Sequence, residues 1–470
     1  MTSSRKKTAA AEGSPKAAEI SVTALKPSQW KAFSERLGPA ERAAATLAGF
    51  SGDARQFVLL GDDKGGLTRV LFGLGDAPKA EMFRDLAGRL PPGAYRLEQT
   101  PDGMTGEAVA VAFELGAYRF DRYRKATASP QLAPPARADA DEIVHISHAL
   151  HLARDMINTG ANDMGPLQVE TIAREIAEAH RARIEVTIGD ALLEAGYPAV
   201  HAVGRAAAPH RAPRMIEISW EGPGSVATTP LIAVVGKGVV FDSGGLDIKP
   251  TAGMRQMKKD MGGAAHALAL GRMIMAAKLP VRLEVLIPVV ENAISGDAMR
   301  PGDVIASRKG LSIEVGNTDA EGRLILADAL TRAAELEPDL TIDLATLTGA
   351  ARVALGPDLP PFYTDDEPLA GEILAASAAA GDPVWRMPLW RGYDSAIDSD
   401  VADMTNEPDA WAQAGSITAA LFLRRFAPTS GAWVHFDIFA WNPRGRPGWP
   451  KGAEVQAIRT LYALIRKRCA

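Results

Sequence analysis

The sequence predicts an α/β protein in two parts: a smaller N-terminal α/β domain and a larger C-terminal α/β domain on a mainly parallel central sheet. Three observations carry this. The chain has 470 residues, 47% apolar and 23% charged, the balance of a globular protein large enough for more than one core. Short apolar runs alternate with helix-like segments through its second half. Glycine, lysine and carboxylate clusters fall where those runs end, the place where open α/β sheets gather their sites.

Residues 1–19 are rich in Ala, Ser and Lys, with no apolar stretch behind Arg5-Lys6-Lys7, and read as a disordered tail rather than a secretory signal. Residues 20–125 read as the N-terminal domain. Gln56–Leu60, Arg69–Phe72 and Ala108–Phe113 are expected as buried strands, and Pro78–Leu90 as a helix with proline in its first turn. Gly73-Leu74-Gly75 lacks the third glycine of a dinucleotide fingerprint and reads as a turn.

Residues 126–138, with Ser129-Pro130 and Pro134-Pro135, read as a linker. The larger domain, 139–470, opens on a helix from Asp139 to Asn158 whose first turn is acidic, as the helix dipole favours. A helix near Val169–His180 follows. Strands are expected at Ile184–Ile188, Arg214–Trp220, Leu231–Val235, Arg282–Val290, Thr341–Leu344 and Trp433–Ile438. Helices are expected at Gly263–Ala277, Leu324–Glu337, Leu369–Ala380, Ile417–Phe426 and Glu454–Lys467.

Net charge is −5, so nothing global points to nucleic acid or an anionic membrane. The basic clusters Arg5-Lys6-Lys7 and Arg466-Lys467-Arg468 read as solvated ends. Cys469 is the single cysteine, which rules out an intramolecular disulfide and a thiolate metal cluster and fits a cytoplasmic protein. No apolar run is long enough to span a bilayer.

The chemistry is concentrated in two clusters. Asn317-Thr318-Asp319-Ala320-Glu321-Gly322-Arg323-Leu324 sets two carboxylates two residues apart before an arginine, where a strand becomes a helix. If this segment is extended, Asp319 and Glu321 face the same way and can hold one cation. Upstream lie Lys237, Asp242, Lys249 and Asp260. Asp242, Asp260, Asp319 and Glu321 carry four negative charges when ionised, which two divalent cations would offset. Lys237 could ligate only as the free amine, leaving Lys249 and Arg323 as cations for an anionic base or an oxyanion. Such a set suits two-metal hydrolysis with Mn²⁺, Zn²⁺ or Mg²⁺. It does not suit a closed structural zinc site, and His201, His266 and His435 lack ligand spacing.

Each piece has a plainer reading. Asp319 alone could cap a helix, Lys237 could sit in an exposed turn, Asp260 could cap the next helix, and Gly244-Gly245 could serve only positive φ. Jointly, the charges balance and every motif lies at a strand end or helix start. A two-metal phosphatase or nuclease needs neither Lys237 nor the full octapeptide. A binding or assembly protein on the same fold would not need intact ligands.

At these residues the chain resembles the leucyl aminopeptidase family of two-metal exopeptidases. The family's octapeptide is matched by Asn317–Leu324. Val235–Gly238, Phe241–Gly245, Ile248–Pro250 and Met257–Ala265 match in order and spacing. The likeness runs from about Asp139 to Leu464, and Asn162–Pro166 and Ile417–Ala420 share it.

The resemblance implies that Asp242 and Glu321 bridge two metal ions, with Lys237 and Asp260 completing one site and Asp319 the other. Lys249 would hold the oxyanion, and Arg323 a bicarbonate ion serving as general base. Met257, Thr346 and Gly349 match substrate-pocket positions. The substrates would be peptides with a free N-terminus, leucine first among them, and the assembly a homohexamer. Near the C-terminus the family's Thr-Gly pair is replaced by Ala453-Glu454. That glutamate either favours basic side chains or sits in the first turn of the last helix, and the helix dipole favours the second.

Overall fold

The computed structural model describes residues 19–408 and 413–469, and these divide into two compact units. The first ends at Asp121 and also takes Lys125–Ala140; the second holds Arg122–Arg124 and the chain from Asp141. The expected tail lies outside the described residues except for Glu19.

The first unit is a five-stranded sheet in the order Phe57–Gly61, Leu67–Gly73, Ile20–Leu25, Gly93–Leu97, Pro130–Leu132. Only the first pair is antiparallel. Val22, Val70, Phe72 and Tyr95 of the sheet share a core with Phe83, Leu86, Val109 and Phe113.

Three expectations are corrected here. The segment read as a linker carries the edge strand Pro130–Leu132. Ala108–Phe113, read as a strand, lies inside the helix Gly106–Ala117, where Thr105 Oγ1 accepts from Ala108 N at 3.1 Å. A continuous apolar run has no diagnostic period, and its alanines and N-cap favour the helix. The helix expected from Pro78 begins only at Met82.

The second unit is built on a nine-stranded sheet. Its centre is four parallel strands, Ala432–Asp437, Leu340–Ala345, Leu231–Gly236 and Arg282–Asn292. Gly238–Asp242 pairs parallel with the far end of the last of these. Antiparallel strands Arg214–Glu221 and Arg183–Ile188 finish one side, and Pro361–Tyr363 with Trp385–Arg386 finish the other.

Leu231–Gly236 and Leu340–Ala345 are buried at every residue, the mark of parallel strands covered on both faces. Helices Gly262–Ala276 and Glu321–Glu335 pack on these central strands. Small residues bring the first one close: a Cβ on Gly263 would lie 2.1 Å from Leu344 O. Lys237, Asn292, Thr346 and Asp437 therefore meet at the carboxyl ends of adjacent strands, where such sheets place their sites. The last helix starts at Ile458, so Glu454 precedes it and is not in its first turn. Ala457, at φ 66, makes the break.

Candidate metal centre

Lys237 sits between two strands and is 3% exposed, so it is no exposed turn. Its backbone N donates to Leu344 O and its carbonyl accepts from Ala264 N, which aims the side chain past the sheet edge. Its Nζ lies 2.7 Å from Asp260 Oδ2, 3.0 Å from Glu321 Oε1 and 3.2 Å from Thr346 O. Gly322 makes room for it: a Cβ there would stand 2.4 Å from Lys237 Cε.

Asp242 closes the strand Gly238–Asp242. Its Oδ1 accepts from Gly244 N at 2.9 Å and from Asn292 Nδ2 at 2.8 Å. Its Oδ2 lies 2.7 Å from Lys249 Nζ, which also bonds Asp319. Gly244 and Gly245 take φ of 89° and 66°, the conformational role that glycine fills most cheaply. Thr318 ties the two motifs together: its N and Oγ1 donate to Asp247 Oδ2 and Gly244 O.

Asp319 and Glu321 do converge, but not as alternate residues of a strand. Ala320 is the N-cap of the helix Glu321–Glu335, so a turn brings the two carboxylates together. Carboxylate oxygens of Asp242, Asp319 and Glu321 all lie within 4.8 Å of one another.

Burial, and after it the charge of Asp242, pushes Glu321 up to about 8 and Asp319 up to about 6. Burial also opposes the charge of Asp260, but Lys237 and Lys259 outweigh it and hold this carboxyl below its ordinary range. Burial likewise works against the ammonium groups of Lys237 and Lys249. The surrounding carboxylates win, and both stay above the usual lysine value.

The residues fit a divalent cation pair. Glu321 Oε2 is buried and has no hydrogen-bond partner among the described residues. Three carboxylates face one another across a few ångströms, a repulsion that cations relieve. The oxygen-rich set with one amine suits Mn²⁺, Zn²⁺ or Mg²⁺. Asp242, Asp260, Asp319, Glu321 and the free amine of Lys237 could hold them.

Arg323 is 7% exposed, two residues into the same helix. Its Nη1 donates to Asn406 O, its guanidinium lies 6.0 Å from the Phe422 ring centroid, and its Nε has no partner among the described residues. Of the expected pocket residues, Met257 lies in the turn Met257–Lys259, and Thr346 Oγ1 donates to Asp260 Oδ1 at 2.8 Å. Gly349 begins the helix Gly349–Leu355.

Sequence reasoning missed Asn292, Asp247, Asn406 and Asp437, which orient these groups from a distance. Asn292 also donates to Thr318 O, and Asn406 bonds Gly316, Asn317 and Ala320. None stands within a recognisable motif; only their place at strand or loop ends could have drawn notice. The three histidines have other partners. His201 meets Asp190, His266 lies between Gly262 O and Gln456 N, and His435 meets Asp343.

A doubly wound catalytic unit with clustered carboxylates and lysines at its strand ends defines a metal-dependent hydrolase. Residues 151–462 match the catalytic domain of the cytosol aminopeptidase family, and residues 20–134 match the M17 aminopeptidase N-terminal domain. A cytosol aminopeptidase structure from Coxiella burnetii superposes with a TM-score of 0.90 at 41% identity, covering 97% of this chain and 99% of that one. The bottromycin maturation enzyme BotP, solved in complex with Mn, gives a TM-score of 0.86 at 34% identity, covering 97% and 100%. A probable cytosol aminopeptidase of Syntrophotalea carbinolica is 39% identical over 402 residues, 81% of this chain and 79% of that one. The chain belongs to the cytosol aminopeptidase family, whose members are hydrolytic metalloexopeptidases. It is a metal-dependent aminopeptidase, as the motif resemblance implied.

Proposed function

We propose that this aminopeptidase works through a two-metal centre that Lys237, Asp242, Asp260, Asp319 and Glu321 would hold. The convergence of the Asp242, Asp319 and Glu321 oxygens carries the reading. Bound there, two divalent cations, Mn²⁺ or Zn²⁺ with Mg²⁺ as a further candidate, supply an acidified water, a polarised carbonyl and an anchor for the free α-amine.

The chain's own groups do the rest. Lys249 Nζ, already beside Asp242 and Asp319, donates to the carbonyl oxygen as it becomes anionic. Arg323, with its unpartnered buried Nε, holds and orients bicarbonate as the general base. Met257, Thr346 and Gly349 bound the pocket for the first side chain, for which leucine is the family's reference residue. Asn292 and Thr318 keep the ligands in place before substrate arrives.

The substrates are peptides with a free N-terminus. The remaining features, a homohexamer in the cytoplasm, rest on the family resemblance. Among the described residues no helix is long and apolar enough to cross a membrane.

The test is hydrolysis of aminoacyl-p-nitroanilides by metal-stripped protein with Mn²⁺, Zn²⁺ or Mg²⁺ added back. Metal-dependent release that disappears on N-acetylation of the substrate is the expected result. Equal release from blocked and free substrates would refute the reading. Molar mass in solution tests the hexamer separately.

A further inference from the structure

Lys259 is a cation that the mechanism above does not use. It follows Met257 in the same tight turn and is 6% exposed. Its Nζ lies 3.2 Å from Asp260 Oδ1, the oxygen that also accepts from Thr346 Oγ1. That places the ammonium beside two expected pocket residues.

A second cation stands at the third. Arg352 lies with its guanidinium carbon 4.5 Å from the Phe439 ring centroid, and Lys259 Nζ lies 5.7 Å from the same centroid. A methyl group added at Gly349 would come within 3.4 Å of Arg352 Nη2. Two like charges thus share one ring at the pocket's edge.

Their counter-charge is incomplete. Among the described residues Asp260 is the one carboxylate within 4.0 Å of Lys259, and Lys237 engages it more closely, at 2.7 Å. A buried ammonium without a dedicated partner is costly, and a carboxylate arriving in the pocket would relieve it. Glu454, the acidic residue that could have favoured basic side chains, accepts instead from Val455 N through Oε1.

We propose that Lys259, assisted by Arg352, makes this pocket select anionic side chains, so that peptides beginning with glutamate or aspartate are the preferred substrates. The proposal rests on the aminopeptidase reading and revises its leucine expectation. Lys259 acts here as a specificity determinant: it holds the substrate side chain and takes no part in bond cleavage.

The experiment compares kcat/KM of the Mn²⁺-loaded full chain for glutamyl-, glutaminyl-, leucyl- and lysyl-p-nitroanilide. Glutamate and glutamine differ little in shape, so their ratio isolates the charge. A ratio of about tenfold or more in favour of glutamate is expected, with leucine below glutamate. Lys259→Met should bring the ratio to one or below, and Arg352→Gln, at an exposed position, should lower it. The wild-type ratio and the Arg352→Gln variant decide the matter even if Lys259→Met folds poorly. A glutamate-to-glutamine ratio at or below one, a preference for lysine, or a ratio unmoved in Lys259→Met overturns the proposal while leaving the aminopeptidase reading intact. No release from any substrate overturns both.

Discussion

Lys237 Nζ lies 3.0 Å from Glu321 Oε1, joining the end of a central strand to the first turn of a helix that packs on it. Both groups are buried, and neither would be stable there alone. The pair marks where the two sequence clusters become one site.

Removing Glu321 should therefore cost metal and chemistry together. Glu321→Ala is expected to lower bound metal and turnover by more than the about 10–100-fold typical of an outer-shell partner. Metal content measured by mass spectrometry beside kcat tests this. Full activity at unchanged stoichiometry would remove Glu321 from the site.

Lys249 should behave differently, because its ammonium is held by carboxylates and not buried between strands. Lys249→Ala is expected to keep the metal and lose about 10²–10³ in kcat, the scale of a missing oxyanion donor. Wild-type turnover in this variant would exclude the role.

Asp437 ends its strand by fastening the loop at Leu347 and Thr348. Its Oδ1 accepts from Leu347 N and Thr348 N at 3.1 Å each, and its Oδ2 from Thr348 Oγ1 at 2.6 Å. Asp437→Ala should loosen this loop and raise KM by about tenfold with metal content kept, since a shift of an ångström in a supporting group is costly. An unchanged KM would show that the loop holds itself.

His266 supplies a pH dependence of stability. Its Nε2 accepts from Gln456 N, and its Nδ1 faces Gly262 O, an arrangement only the neutral ring can make. Burial pulls its pKa down from 6.5 to about 4. The unfolded chain therefore binds the extra proton first, so this contribution is whole above about pH 6.5 and is lost as pH falls toward 4. The loss should approach about 3 kcal/mol. Denaturant midpoints of wild type and His266→Gln at pH 7 and pH 4.5 measure it. Equal losses in the two proteins would clear His266 of the effect.

Much of the second unit was legible in the sequence. The run Leu231–Val235, short, entirely apolar and rich in β-branched residues, is a strand buried on both faces. The ligand candidates were legible too, since carboxylates and lysines are rarely massed beside glycines without a task. Local ambiguity marked the failures. The run Ala108–Phe113 suits a buried strand or a buried helix equally by period, and its cap and packing decided for the helix.

By itself, the sequence determined the residue types at the site, the α/β class and the family, because short motifs carry chemistry in fixed order. Tertiary structure alone decided that Asp319 and Glu321 converge through a turn, that Asn292 bonds Asp242, that Asp437 fastens the loop at Leu347 and Thr348, and that Lys259 meets Asp260. The bonds of Asn292 to Asp242 and of Asp437 to Leu347 and Thr348 join residues far apart in the chain. Only the parallel sheet, which brings the ends of four strands to one edge, makes them neighbours.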